Sequence, residues 1–264
     1  MPPVDVVMPT PLAPPRVVTR PRADDPRFYE WMAYACAFIA FAGFVPTYWA
    51  PVAAGTFAGA PILHVHGLLF TAWMVLFIVQ ARLVARGRLQ SHRRLGMAGI
   101  ALATAMVFVG LLVVARSIDA HIDQGAAYEA RAFAIVPASL IVEFAVLVGA
   151  AIAFARRRDV HMRLMLVATI TIMPPAVARV LRLLLAPEGA GQGTGVPPTV
   201  AMTLVPAFLV NLLLLVAIVH DWRRRGRPHP VYLIAGAVLV VVQLARLPLS
   251  RSPAWHALAE WMFG

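Results

Sequence analysis

The sequence predicts an all-α integral membrane protein with seven transmembrane helices, and three observations carry that prediction. Of 264 residues, 61% are hydrophobic and only 13% charged, whereas a soluble domain is about half apolar and about a quarter charged. Mean hydropathy is +0.77. From Trp31 to Ala81 there is no Asp, Glu, Lys or Arg. Such a run is far longer than the alternating strands of about ten residues in an outer-membrane barrel. Helices alone satisfy their own backbone hydrogen bonds over the roughly 20 residues that cross the hydrocarbon core.

Taken in order, residues 1–28 hold eight prolines and four arginines without an apolar signal-type core, and read as a disordered cytoplasmic tail. A seven-span domain fills 29–250, with spans near 31–50, 62–84, 95–115, 132–155, 163–185, 199–219 and 231–249. Residues 251–264 then form an interfacial amphipathic helix. Ser252 is its cap, Pro253 its first helical position, and Trp255 and Trp261 its headgroup anchors. The single cysteine, Cys36, falls in the first span and acts as a small apolar filler.

Net charge is +11, and all 23 basic residues are Arg. Seventeen of these 23 fall in 1–30, 82–94, 156–163 and 223–227, stretches that alternate with the remaining loops and so share one side. The positive-inside rule makes that side cytoplasmic, the N-terminus internal and the C-terminus external. This distribution assigns the basic charge to membrane topology, not to nucleic acid. The Arg-only, Ala- and Val-rich usage is that of a GC-rich bacterial genome, which together with the topology points to a multi-pass protein of the bacterial inner membrane.

After span one the chain reads as three repeated helical hairpins. Each cytoplasmic turn is an Arg cluster followed by a His at 92, 161 or 229, spaced 69 and then 68 residues apart. Arg179 and Arg246 lie 18 and 17 residues beyond the last two of these. Parallel repeats occur in transporters, and duplication without a transport role produces them as well.

Several motifs resemble a family of bacterial seven-span membrane proteins of unknown function. They are His66, Trp73 and Gln80 on one span; His92-Arg93-Arg94-Leu95-Gly96; the run His161-Met162-Arg163-Leu164-Met165-Leu166-Val167-Ala168-Thr169; and His229-Pro230 with Gln243 and Arg246. The resemblance covers roughly residues 60–262, implies seven spans, and carries no catalytic residue across. A looser similarity in design is to b-type haem membrane proteins, which also place His on helix bundles.

Three groups of residues are candidates for chemistry. On the outer side, His64 and His66 open span two while Asp119, His121 and Asp123 follow span three. In an extended backbone, side chains two apart point the same way, and this N/O set would suit zinc or copper. If the segments are helical, such pairs point about 200° apart and the site fails, leaving a polar loop and interfacial histidines. On the cytoplasmic side, His92, His161, His220 and His229 could ligate a metal or haem b. Alternatively, they sit among Arg at the headgroup level, where cationic residues meet lipid and set helix entry.

Within the spans, Glu143, Arg179, Asn211, Gln243 and Arg246 outline a polar pocket. Glu143 must face protein or water. Depth counting pairs it with Arg179, while Arg182 and Arg246 snorkel outward and Asn211 and Gln243 bind helices together. Pro174-Pro175 bends span five beside Arg179. Walker, G-x-G-x-x-G, G-x-S-x-G, C-x-x-C and C-x-x-C-H motifs are absent. Three functional readings follow: a metal- or haem-binding protein in a redox or metal-handling role, a small-solute or proton-coupled transporter, or a non-catalytic component that binds a partner or lipid.

Overall fold

The computed structural model describes residues 25–185 and 196–263. Most of the predicted tail, residues 1–24, lies outside the described residues. Its last four positions are corrected: Asp25 accepts a hydrogen bond from the Arg27 amide and caps a helix that begins at Pro26. Among the described residues there is no strand, and seven helical segments are long and apolar enough to cross a membrane.

Span one comprises α1 (Pro26–Phe44), a π-helical segment (Val45–Trp49) and α2 (Ala50–Ala53). Pro51 has no N–H for the Thr47 carbonyl, so the regular ladder cannot run through this stretch. Spans two to four are α3 (Pro61–Ala85), α4 (Leu89–Ile122) and α5 (Ala127–Ala153). Span five is broken into α6 (Arg158–Thr171) and α7 (Pro174–Leu185), because Pro174 and Pro175 remove two successive donors. A 3₁₀ turn (Val200–Thr203) leads into α8 (Leu204–Arg225), followed by α9 (Pro230–Leu249) and α10 (Pro253–Phe263). Gly226 ends α8 at φ +73°, the left-handed conformation that glycine adopts without penalty.

The fifth span is central. α6 packs on α1, α5, α8 and α9, and its Leu166, Val167, Ala168 and Ile170 are fully buried. Cys36 is buried in the same core. α1 and α7 meet at Gly43, where a Cβ would collide with the Ala176 carbonyl; small residues permit such close approach between membrane helices. Outward-facing Phe38, Phe108, Leu215 and Val241 stay exposed, the pattern of a bundle whose solvent is lipid. α10 folds against α4 and α5, fastened by Trp255 Nε1–H donating to the Arg131 carbonyl at 2.7 Å and by Arg131–Glu260 at 3.3 Å.

One helix far outruns its apolar window. α4 has 34 residues, about 51 Å at 1.5 Å per residue against a core of about 30 Å. Both ends of α4 are therefore helical where loop was expected, and α3 is regular helix through His64 and His66, so the outer site changes accordingly.

Candidate functional site

The outer zinc or copper site of His64, His66, Asp119, His121 and Asp123 does not form. α3 starts at Pro61 and α4 continues to Ile122, so the spacing-two pairs diverge around helices instead of converging. Each imidazole has its own neighbour. The His64 Nδ1 meets the Tyr48 hydroxyl at 3.1 Å, His66 stacks on Phe70 with centroids 4.1 Å apart, and His121 Nδ1–H donates to the Ser117 carbonyl one turn back. Among the described residues no three His, Cys, Asp or Glu side chains gather as a metal cage.

The four histidines of the arginine-rich face separate into a pair and two singles. His220 stacks on Phe28 at 3.7 Å, with Nε2 3.9 Å from Asp25. His229 caps α9: its Nδ1 accepts from the Val231 amide at 3.2 Å, which leaves Nε2–H to donate to Asp159 at 3.3 Å. Both ring nitrogens of His229 are thereby engaged, so it cannot serve as a ligand. Burial, and next the Arg163 charge, holds the His229 imidazole below its usual range despite the Asp159 carboxylate. His92 and His161 come together. Their ring centroids lie 6.2 Å apart with planes at 82°. His161 Nδ1–H donates to the Ala151 carbonyl at 2.8 Å, His92 Nδ1 is buried without a hydrogen-bond partner, and the Gln80 amide donates to the His92 carbonyl at 3.2 Å.

The predicted intramembrane pocket resolves into three separate contacts. Glu143 pairs with Arg246, not with Arg179, at 2.8 Å. Counting residues along the axis gives depth but not neighbours: α9 packs on α5, whereas α7 packs on α1 and α8. Arg246 is therefore 2% exposed, and its expected outward snorkel does not occur. A single bond joins the pair, leaving Glu143 Oε1 and Arg246 Nε without partners. Asn211 and Gln243 exchange amide hydrogen bonds at 2.9 and 3.5 Å between α8 and α9. Arg179 sits apart. Its Nε–H donates to Thr47 Oγ1 at 3.1 Å, its Nη1 to the Pro175 carbonyl at 2.8 Å, and its guanidinium lies 4.3 Å from the centroid of the Phe44 ring.

A further pair escaped the sequence reading. Arg163 and Asp221 form a bidentate fork, Nε to Oδ2 at 2.8 Å and Nη2 to Oδ1 at 2.9 Å, while Arg163 Nη1 reaches the Asp159 carbonyl at 2.7 Å. Both residues are buried beneath Tyr232, whose hydroxyl meets that of Tyr29 at 3.0 Å. The available signal was a lone carboxylate, Asp221, ahead of an arginine run, with an arginine just inside span five. No family model matches the chain, and comparison with curated proteins and with solved structures returns no match.

Proposed function

We propose that the chain is a bacterial inner-membrane protein, its arginine-rich face cytoplasmic, that holds a metal centre between His92 and His161. The supporting observation is their separation. With metal–nitrogen bonds of about 2.0–2.1 Å and about 1.1 Å from nitrogen to ring centroid, two imidazoles on opposite sides of one ion have centroids about 6.2–6.4 Å apart. The measured value is 6.2 Å. His161 also has the orienting bond typical of a ligand, since donation from Nδ1–H to a backbone carbonyl fixes the tautomer and leaves Nε2 with its lone pair. His92 lies within electrostatic reach of Arg93 and Arg158, cations suited to the carboxylates of a tetrapyrrole. Haem b is thus the favoured form of the metal, and His92 and His161 are the residues that would hold its iron.

Elemental analysis and an absorption spectrum of the full-length protein in neutral detergent test this. Stoichiometric metal with a Soret band is expected in the wild type and in His220→Ala, and its loss in His92→Ala or His161→Ala. Absence of stoichiometric metal from the wild type, or full loading without His92, refutes the proposal.

A second reading, small-solute or proton-coupled transport, draws on the broken fifth span and the Glu143–Arg246 pair, because discontinuous spans and intramembrane ionisable residues mark transport pathways. Proteoliposomes with an internal pH dye decide it: proton flux abolished by Glu143→Gln supports transport, and no flux above protein-free vesicles refutes it.

A further inference from the structure

Three arginines lie within spans five and seven, and among the described residues only two of them have a carboxylate partner. Arg163 has Asp221 and Arg246 has Glu143. Arg179 has a hydroxyl, a backbone carbonyl and an aromatic face. These neutral partners fix the direction of the guanidinium without neutralising it. With Nε–H and one Nη1–H engaged, the Nη1/Nη2 edge keeps donors that make no hydrogen bond among the described residues. One further cation is near it: Arg182 lies within electrostatic reach one turn along α7. The His66 imidazole of α3 lies within electrostatic reach of Arg179 as well. The buried Nδ1 of His66 also has no hydrogen-bond partner.

All these groups share one depth. His66 is five residues from the start of α3, Arg179 six from the end of α7, and Thr47 six from the end of α2, hence about 8–9 Å inside the same face of the bundle. The irregular elements explain their meeting: the π segment carries Thr47 inward, and the Pro174–Pro175 break turns α7 toward α1. An isolated buried cation is costly, and a guanidinium edge matches an oxyanion in two-point geometry. Phe44 and Phe70 offer apolar walls beside it.

We infer that Arg179, with His66 and Thr47, forms a binding site for an oxyanion, a carboxylate or phosphate borne on an apolar chain, at the face opposite the arginine clusters. This site is remote from His92 and His161 in the chain and independent of the metal proposal, so either can fail alone.

The test titrates full-length protein in neutral maltoside micelles with dodecyl phosphate and with laurate. Saturable binding is expected in the wild type, at least tenfold weaker in Arg179→Gln, several-fold weaker in His66→Gln, and partly restored in Arg179→Lys. Inorganic phosphate and phosphatidylglycerol nanodiscs, each compared with its neutral counterpart, separate a free anion from a lipid headgroup as the source. The inference falls if neither amphiphile saturates the wild type or if Arg179→Gln and His66→Gln, both verified as folded, bind as the wild type does.

Discussion

Asp221→Asn is the most informative single substitution in the protein. It preserves the shape of the side chain and removes its charge, so Arg163, 1% exposed, keeps a hydrogen-bond acceptor but loses the anion that balances it. Two of its other contacts, the Asp159 carbonyl and the Tyr232 ring, are neutral. Breaking a buried ion pair from one side costs about 3–5 kcal/mol, a large share of the roughly 5–15 kcal/mol that holds a typical domain folded. For a chain of this size each kcal/mol moves Tm by roughly 2–4 °C, so the melting point in detergent should fall by about 6–20 °C. The paired replacement Arg163→Met with Asp221→Leu should recover most of that loss, since exchanging a whole buried pair for apolar groups is often neutral. Differential scanning fluorimetry of the two variants beside wild type measures both effects. If Asp221→Asn melts within 2 °C of wild type, the fork does not hold α6 to α8. If the double variant melts as low as the single one, unbalanced charge is not the cause.

The Glu143–Arg246 pair should break asymmetrically: Arg246→Met is expected to destabilise less than Glu143→Leu, because a proton can neutralise an orphaned carboxyl and nothing neutralises a guanidinium; equal melting points would refute this. For His229, whose pKa lies below its unfolded value of about 6.5, the unfolded state takes up a proton first as pH falls. Its contribution is thus fully present above about pH 6.5 and is lost below that pH, down to the folded pKa. Melting curves from pH 7.5 to 5 should fall less steeply in His229→Gln than in wild type, and parallel slopes would count against the assignment. Cysteine labelling in intact cells should find positions 88 and 225 protected and position 123 accessible, with Cys36 silent because it is buried; an inverted result at any of the three breaks the proposed orientation.

The bundle was legible because the bilayer imposes a length on every apolar run, and a 20-residue window senses that length directly. Arginine clusters could be read for the same reason, as loops must pass through headgroups. The ends of the helices were not legible. Hydropathy stops at Arg116, yet α4 continues through Asp119 and His121 to Ile122, since a polar segment in water can remain helical. The proposed outer metal site was lost to those extra turns. Likewise the His64–His66 segment is not extended because Pro61 starts α3 just before it: proline suits a first helical position, where its missing N–H costs nothing.

Partner choice in the interior was the other blind point, and it is a matter of azimuth. Depth along an axis comes from counting residues, and it put Glu143 near Arg179. Rotation about the axis depends on which helices touch, and the break in span five decides that by carrying α7 against α1 while α9 stays beside α5. Two consequences follow from one proline pair. Glu143 is left to Arg246, which closes that site on itself, and Arg179 is delivered to Thr47 and Phe44 with no acid in reach among the described residues. The unbalanced cation is thus a product of the same local chemistry that breaks the helix, so restoring a continuous span should abolish it. Pro174→Ala with Pro175→Ala should allow α6 and α7 to join and turn Arg179 away from Thr47. Dodecyl phosphate binding should then be lost even though Arg179, His66 and Thr47 are all still present, and retained binding would show that the break does not position the site.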